Sequence, residues 1–292
     1  MRITQSETYR NYLANLETLN ENLNKASDQV SSGKKLTQLK DSPAGSAQLI
    51  ALGEQAAEID QYQSNVDSAS YFLGAADSIL SEVNNLAASI YTKGSQAATE
   101  SLSADDRSTI ATEIRSLRDQ LLSLANTRLG GRYIFAGSIT SSAPFVVNGS
   151  SVQYQGDDTI NQIRISDGLH VEKGISGASA FNSVFSFVDS LLSTVEANDL
   201  SGIRSALEQF SSALSELSLA RGAVGANLSI LDNVKTDLDW RETSLTTQRS
   251  KVEDADMSES VVKLSQIQTA LETAIAAGGS VLKQRNLFDI LG

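Results

Sequence analysis

The sequence predicts a mainly α-helical protein: an elongated antiparallel helical bundle or coiled coil that carries a small inserted antiparallel β module. Two observations in the 292-residue chain predict this fold. Apolar residues recur in alternating steps of three and four over most of its length. Between about residues 131 and 177, short β-branched and aromatic runs alternate with turn sequences such as NGSS and GDD.

The alternating steps mark five helical segments. A repeat of 3.5 residues keeps one narrow apolar stripe facing a partner helix, and the many alanines allow close approach. The stripes run over residues 9–30, 59–90, 110–124, 207–231 and 257–282.

Helix boundaries follow from capping chemistry. Ser103 is expected to cap the third helix, and Gly130-Gly131 to close it. Asn198 or Asp199 should start the fourth helix, after the β module returns to helix near Asn182.

These elements predict three parts. Residues 1–40 and 255–292 form paired terminal helices, 41–131 and 178–254 form a central bundle, and 132–177 form the β module at the distal end. Because short loops make consecutive helices antiparallel, the two termini should lie together at one end of a long rod.

The composition excludes several classes of function. The net charge of −12 argues against a nucleic-acid partner, since lysine and arginine must neutralise phosphates. The chain has no cysteine and a single histidine, His170, which excludes thiolate and multi-histidine metal sites. No serine has the glycine pattern of a nucleophile elbow. We therefore expect no enzymatic activity, cofactor or metal, and we interpret His170 as a surface strand residue.

The hydropathy of the sequence limits the cellular locations that we expect for the chain. No window approaches the ~18 consecutive apolar residues of a membrane span, and the opening residues MRITQSETYR are polar where a signal peptide would be apolar. We expect no membrane partner, and a chain that is cytosolic or exported without a cleaved signal peptide.

The stretch SSGKKLTQLKDSPAG, residues 31–45, admits two interpretations. A phosphate-binding loop requires Ser or Thr after Gly-Lys, but Lys35 follows Gly33-Lys34. A break between helices explains the same residues, because glycine ends helices, and Ser42 with Pro43 suits the start of the next one. The sequence therefore predicts a joint between two long helices.

A second segment, Glu253 to Asp256, is expected beside this one, because the chain returns through the same region. We hypothesise that the two charge runs attract each other and fix the angle of the joint, although two solvated charge runs remain an open alternative. The predicted joint residues are Gly33, Lys34, Lys35, Lys40, Pro43, Glu253, Asp254 and Asp256.

The terminal helices carry apolar stripes but also weakening residues. Gly278 and Gly279 each cost ~1 kcal/mol relative to alanine in a helix, so the pair should order only when packed against neighbours; closing one end of an ordinary bundle is the alternative. The predicted assembly interface is Tyr9, Tyr12, Leu16, Leu19, Leu23, Ala26, Val30, Val261, Leu264, Leu271, Ile275 and Leu282.

Several motifs carry a resemblance to a known family. VSSGKKLTQLKDSPAG and RSKVEDADM resemble the two conserved terminal segments of the bacterial flagellin superfamily. TRLGGRYIFAGS, YQGD, KLSQIQTALETA and LFDIL, in this order, resemble the flagellar hook-associated protein 3 family within it. The resemblance covers nearly the whole chain.

The resemblance implies a structural role in the flagellum, without a cofactor. It implies export in an unfolded state through the flagellar type III apparatus, with a cytosolic export chaperone, and a final location outside the cell. There the subunits would form a layer between hook-associated protein 1 and the flagellin filament, in contact with copies of themselves. The terminal helices would line the inner tube, and the β module would project outward.

Two rival functions remain open from sequence. Flagellin itself shares the terminal segments, and it polymerises into long filaments where a junction protein should not. A secreted adhesin on a helical rod would use the β module for ligand contacts, so deleting residues 133–174 would remove its activity.

Overall fold

The computed structural model describes residues 2–283 of the chain. In this range it contains six α-helices, one short 3-10 helix at Leu39–Asp41 and six short strands. The predicted fold class, mainly α with a small inserted antiparallel β module, is confirmed. The helices are α1 Arg2–Ser32, α2 Pro43–Ala97, α3 Ala104–Ala125, α4 Gly177–Glu196, α5 Leu200–Glu253 and α6 Met257–Lys283.

The strands form three separate two-stranded antiparallel sheets, which pair β1 with β2, β3 with β4 and β5 with β6. Among the described residues, no helix is both long enough and apolar enough to cross a bilayer. The strands are β1 Arg128–Leu129, β2 Arg132–Tyr133, β3 Phe145–Asn148, β4 Ser151–Tyr154, β5 Gln162–Ser166 and β6 Leu169–Glu172.

The chain divides into two compact units. Unit 1 contains the chain up to Glu58 and the chain from Arg241 onward, and unit 2 contains Ile59–Trp240. Unit 1 therefore holds α1, α6, the first part of α2 and the last part of α5. Unit 2 holds the rest of α2 and α5, together with α3, α4 and the strands. The division into three parts expected from sequence remains a prediction.

Unit 2 has a fully developed apolar core. The stripe of α2 is completely buried at Val66, Leu73 and Leu80, and Ile114 of α3 and Leu191 of α4 are buried as completely. Full burial of one such side chain contributes about 1.5–3 kcal/mol. The apolar stripe of α2 thus meets enough neighbours within unit 2 to leave water entirely.

Polar contacts line the edge of this core between α2 and α5. Lys235 Nζ lies 2.7 Å from Asp67 Oδ1, and Arg221 Nε lies 3.1 Å from Asp77 Oδ1. Arg221 is the residue that interrupts the fourth stripe, and its charge is compensated at the bundle surface. Exposed pairs of this kind contribute little to stability and mainly fix alignment.

One end of unit 2 is closed by a buried arginine at the start of α3. Arg107 donates hydrogen bonds to the carbonyl oxygens of Ala97 (2.9 Å) and Thr99 (2.8 Å), and to Asn198 Oδ1 (2.8 Å). The α2–α3 and α4–α5 turns therefore meet around one side chain. Ser103 caps α3 as predicted, because its hydroxyl oxygen accepts the Asp106 N–H at 3.1 Å.

Two helix boundaries differ from those expected. α3 ends at Ala125, ahead of Gly130-Gly131. These glycines, with φ of 59° and 81°, form the tight turn of the β1–β2 hairpin, where positive φ at both central residues suits the twist of the strands. α4 begins at Gly177, five residues before Asn182, because Ser176 accepts the Ala178 N–H at 3.1 Å.

The β module lies elsewhere in the bundle than expected. We expect it at the distal end, but within unit 2 the turn between α2 and α3 is formed by the residues around Arg107. The β5–β6 hairpin instead contacts α2 well before its end: Asn65 Nδ2 donates to Arg164 O at 2.7 Å, and Lys173 Nζ donates to Ser68 Oγ at 2.7 Å. The β module is therefore at the opposite end of unit 2 from this turn.

Helix length explains this placement. α3 and α4 contain 22 and 20 residues, against 55 in α2. At 1.5 Å per residue they return along less than half of α2, by roughly 30 Å of about 80 Å. The strands that join α3 to α4 must then pack beside the middle of α2.

The residues of the AGS and YQGD motifs tie the β module together. Asp157 Oδ1 accepts the Ser138 N–H at 2.6 Å and the Thr159 N–H at 3.3 Å. The Ser138 hydroxyl and these N–H groups lower the pKa of Asp157 below its ordinary value. Gly137, at φ 68°, lies so close that a Cβ there would be 2.1 Å from the Asp157 carbonyl oxygen.

The β3–β4 hairpin is held to the helices by a buried ion pair. Arg118 Nε of α3 lies 2.6 Å from Asp189 Oδ1 of α4. Arg118 also donates to Ser150 O at 2.9 Å, and Asp189 accepts the Val152 N–H at 2.8 Å. Burial raises the pKa of Asp189. The pair thus connects two helices to the turn end of one hairpin.

Gly137→Ala should destabilise unit 2 more than Gly149→Ala does. Gly149 has a similar φ of 66° but open space around its missing Cβ, so its substitution measures the cost of the backbone conformation alone, roughly 1–2 kcal/mol. The clash with Asp157 should add a further ~1–3 kcal/mol at Gly137. Denaturant unfolding of the full chain measures both, and equal losses would contradict the close packing described here.

Candidate assembly surface and joint

α1 and α6 of unit 1 form an antiparallel pair that is anchored near both ends. At one end, Lys34 and Asp254 form an isolated antiparallel β-bridge. Towards the other end, the Tyr12 hydroxyl donates to the Ala274 carbonyl oxygen at 3.1 Å. Lys34 and Tyr12 are 22 residues apart, and Asp254 and Ala274 are 20 apart. The two helices therefore keep nearly the same register along most of their length.

The residues of the predicted assembly interface are only partly buried in this pair. Ala26 is buried, and Val261 and Ile275 are about half exposed, at 49% and 57%. Tyr9 is exposed to a similar degree. The Leu282 side chain lies outside the described residues. The remaining members are half-buried: Tyr12, Leu16, Leu19, Leu23, Val30, Leu264 and Leu271.

Further apolar side chains, outside the predicted set of interface residues, also face solvent on this pair. They are Leu13 on α1, and Met257 and Val262 on α6, with 44–57% of each side chain exposed. Leu13 follows Tyr9 by four residues, so a helical projection of both faces could have found it. The pair thus carries exposed apolar surface beyond the predicted interface residues, and Leu13 and Val262 lie outside the stripe itself.

The burial of the apolar stripe differs between the α1–α6 pair and unit 2. The apolar stripes of α1 and α2 have the same spacing, yet the one in α2 is fully buried and the one in α1 is not. Two helices can cover only the seam between them, whereas a bundle covers each helix from several sides. The α1–α6 pair therefore has capacity for more helical neighbours.

The joint lies between α1 and α2 on one chain segment and between α5 and α6 on the other. α1 ends at Ser32, Gly33 takes the left-handed φ of 70°, and α2 begins at Pro43 after Ser42. Ser42 Oγ accepts the Gly45 N–H at 3.1 Å. These local signals act as capping rules require.

Backbone hydrogen bonds connect the two segments directly. The Lys35 N–H donates to Glu253 O at 2.8 Å, and the Ala255 N–H donates to Gly33 O at 2.9 Å. Each pairs a group that would otherwise be left at a helix end or in a connector. The joint is thus a short two-stranded element between helices.

Glu253 is the electrostatic centre of the joint. Its side chain is 12% exposed and accepts hydrogen bonds from Lys34 Nζ on one oxygen and from Arg249 Nε, at 2.8 Å, on the other. The hydrogen bond from Lys34, aided by Arg249, lowers the pKa of Glu253. Arg249 was not among the predicted residues, although its place one helical turn before Glu253 is a signal for such a pair.

The other predicted joint residues have varied surroundings. Lys35 Nζ donates to Lys251 O at 2.7 Å, and the Ser250 hydroxyl donates to the Asp254 carboxylate. Asp256 caps α6, because its Oδ1 accepts the Ser258 N–H at 2.8 Å. Lys40 is exposed and makes no ion pair within residues 2–283. The structure therefore brings Lys34, Lys35, Glu253 and Asp254 together and leaves Lys40 apart.

Lys34→Met should loosen the joint, and Lys40→Met serves as the matched control. Removing the Lys34 ammonium leaves a largely buried carboxylate with one cationic partner fewer. Because Lys34 is partly exposed, we expect an effect of up to ~1 kcal/mol, or about fivefold faster hydrogen exchange at the Lys35 and Ala255 amides. Equal exchange in both variants would show that the ion pair does not support the joint.

The difference in hydrogen exchange at the joint between the unmodified chain and Lys34→Met should depend on pH. A carboxylate whose pKa is lowered by folding stabilises the folded state above its unfolded pKa, ordinarily 4.5 for glutamate, and this contribution is lost as the pH falls through the folded value. The difference between the unmodified chain and Lys34→Met should be full near neutral pH and shrink below about pH 4.5. A difference that stays constant down to about pH 3 would contradict the role of Glu253.

Comparison with known proteins agrees with this architecture. The chain matches the family model "Bacterial flagellin N-terminal helical region" over residues 3–140 and the model "Bacterial flagellin C-terminal helical region" over residues 207–290. Together the two models cover about three quarters of the chain. The chain therefore matches both the N-terminal and the C-terminal helical region of bacterial flagellin.

Individual relatives specify the group. Flagellar hook-associated protein 3 of Escherichia coli is 27% identical over 95% of this chain and 96% of its own length. The Salmonella typhimurium protein of the same name is 32% identical over 64% of this chain and 58% of its own length. A solved flagellar hook-associated protein from Vibrio parahaemolyticus, 20% identical, has the same fold, with a TM-score of 0.68 over 73% of this chain and all of its own. The chain belongs to the bacterial flagellin superfamily, in its hook-associated protein 3 group.

Proposed function

We propose that this chain is a structural component of the bacterial flagellum that forms the junction layer between the hook-associated zone and the flagellin filament. The single observation that carries the assembly part of this proposal is the incomplete burial of the α1–α6 stripe, set against the complete burial in unit 2. Apolar surface of this kind is stabilised when copies pack side by side.

The proposed mechanism is heterologous packing. A subunit that contacts its neighbours through different faces builds a ring or a helical tube, depending on whether the rotation closes. The exposed faces of α1 and α6, including Leu13, Val262 and Ile275, supply apolar contacts on the outside of the pair. Each subunit would then complete the burial of the terminal helices of the next.

The proposed partners follow from the place in the flagellum. They are other copies of this chain, hook-associated protein 1 on one side, flagellin on the other, and a cytosolic export chaperone before assembly. The chain would be exported without a cleaved signal peptide and would act outside the cell. The role is mechanical, and no reaction, cofactor or metal ion enters it.

The joint has a defined part in this proposal. Its backbone bridge and the Glu253 ion pairs support a fixed angle between the terminal pair and the helices that continue from it within unit 1. A layer that contacts hook-associated protein on one side and filament on the other has to hold its terminal helices in one geometry. We propose that the joint residues supply this geometry.

A junction protein and flagellin differ in a simple assay. Purified chain added to sheared filament seeds should bind their ends without elongation, whereas flagellin in a parallel reaction should grow long filaments. Electron microscopy of the seeds measures the length. Long filaments built from this chain would identify it as a filament subunit and contradict the proposed junction role.

Leu16→Asp or Leu271→Asp should abolish incorporation into flagella without unfolding unit 2. A carboxylate on the stripe of the terminal pair must be desolvated on assembly, at a cost of several kcal/mol. Asn15→Asp adds the same charge at an exposed neighbouring position and is the matched control. Incorporation is measured as the amount of the chain in flagella isolated from cells that lack their own copy, and unit 2 by its thermal unfolding. Normal incorporation of both stripe variants would contradict the assembly mechanism.

A further inference from the structure

Gly278 is the point of closest approach in the α1–α6 pair. The Tyr12 side chain lies against its backbone, so that a Cβ at Gly278 would be 2.0 Å from Tyr12 Oη and 2.2 Å from Tyr12 Cζ. Both distances are far below any real Cβ contact. The tyrosine therefore occupies the space that every other residue type would fill with its own side chain.

The hydroxyl of the same tyrosine has a specific acceptor. Tyr12 Oη donates to Ala274 O at 3.1 Å, and Ala274 lies one helical turn before Gly278. A helix carbonyl has a second lone pair available for such a donor. One side chain is thus positioned both by shape, at Gly278, and by a directional bond, at Ala274.

Between Met257 and Lys283, α6 has only one position that can receive the Tyr12 side chain. Its glycines in this range are Gly278 and Gly279, and a Cβ at Gly279 would meet nothing within 4 Å. One heptad earlier, the position equivalent to Gly278 is Leu271, whose side chain would block the tyrosine. Only one alignment of α1 along α6 therefore accommodates Tyr12.

The other contacts of the stripe do not select one alignment of α1 along α6. Apart from Tyr9 and Gln268, the rest of the stripe consists of aliphatic residues and one methionine at heptad spacing, and a shift of one heptad, about 10 Å along the axis, mostly exchanges one such side chain for another. In coiled coils, register is set by the few positions that tolerate a single partner. The joint fixes the alignment at one end of the pair, and aliphatic contacts discriminate only weakly between alignments 20 residues further on.

We infer that Tyr12, with Gly278 and Ala274 as its receptor, is a register clasp that determines how α1 is aligned with α6 towards the free ends of the two helices. This inference rests on the proposed function in one respect: a fixed alignment decides which apolar side chains the pair presents to neighbouring subunits. It also gives Gly278 a second interpretation. Glycine is required at this position because it leaves space for Tyr12, and the lower helix propensity is the cost of that space.

Paired alanine substitutions separate the clasp from helix propensity. Gly278→Ala and Gly279→Ala each raise helix propensity by ~1 kcal/mol, so propensity alone predicts that both stabilise the pair. The clasp instead predicts that hydrogen exchange in peptides covering residues 9–16 and 271–279 of the full-length chain becomes at least tenfold faster in Gly278→Ala, and no faster in Gly279→Ala.

The tyrosine supplies the second arm of the experiment. In a Tyr12→Leu background the clash is removed, so adding Gly278→Ala should change exchange by less than about twofold. A Gly278→Ala variant with the exchange of the unmodified chain overturns the inference. So does a loss that persists unchanged in the Tyr12→Leu background, because the clash would then lie with another residue.

Incorporation into flagella distinguishes this inference from the proposed function. Gly278→Ala should reduce incorporation at least tenfold and Gly279→Ala by less than twofold, in the same cells that are used for Leu16→Asp. If Leu16→Asp prevents incorporation and Gly278→Ala does not, the clasp is wrong and the assembly mechanism stands. If Leu16→Asp is incorporated normally, the assembly mechanism is wrong, while the exchange measurements still decide whether the clasp exists.

Discussion

An apolar stripe on a helix needs neighbours on more than one side, and two helices alone cannot provide them. This constraint separates the two units of the chain. In unit 2 the stripe of α2 is enclosed by α3, α4 and α5, and its members reach zero exposure. In the α1–α6 pair the same pattern of residues stays half-buried because each of the two helices covers only one side of the other. The sequence thus encodes one unit with a complete apolar core and a helix pair whose apolar stripe stays partly exposed.

The contacts that remain in unit 1 are consequently specific rather than extensive. The joint uses two backbone hydrogen bonds and one carboxylate with two cationic partners. The far end of the pair uses one tyrosine against one glycine. Directional contacts of this type contribute little to the free energy of folding, but they discriminate between alternative alignments that hydrophobic burial would leave nearly equal.

Much of the fold follows from periodicity and capping, which are local properties. The five predicted stripes all lie in helices, and Ser103, Gly33 and Pro43 stand at helix ends as expected. α4 also carries a buried stripe in alternating steps of three and four, at Phe181, Val184, Val188, Leu191 and Val195, which the five predicted stripes did not include. The place of the β module within unit 2 has a different origin, since it depends on the relative lengths of α2, α3 and α4 and not on any local pattern.

Some residues of the candidate site could likewise be predicted from local sequence, and others could not. The proximity of Lys34 to Glu253 could be anticipated, because a chain that leaves and returns through one region must bring its two connectors together. Arg249 required attention to helical spacing, and Gly278 required knowledge of what lies opposite it. A glycine in a helix has two explanations, weakness or close packing, and only the tertiary neighbour, here Tyr12, separates them.

The backbone bridge between Gly33–Lys35 and Glu253–Ala255 has a mechanical consequence. Both chain segments cross the joint side by side, so a pull along the helices stretches the two connectors together and leaves the bonds between them unloaded. When one connector is strained more than the other, the segments tend to slide, and the two hydrogen bonds resist this sliding in shear. The bridge therefore distributes force between the two connectors, so that neither polypeptide strand carries a sudden load alone.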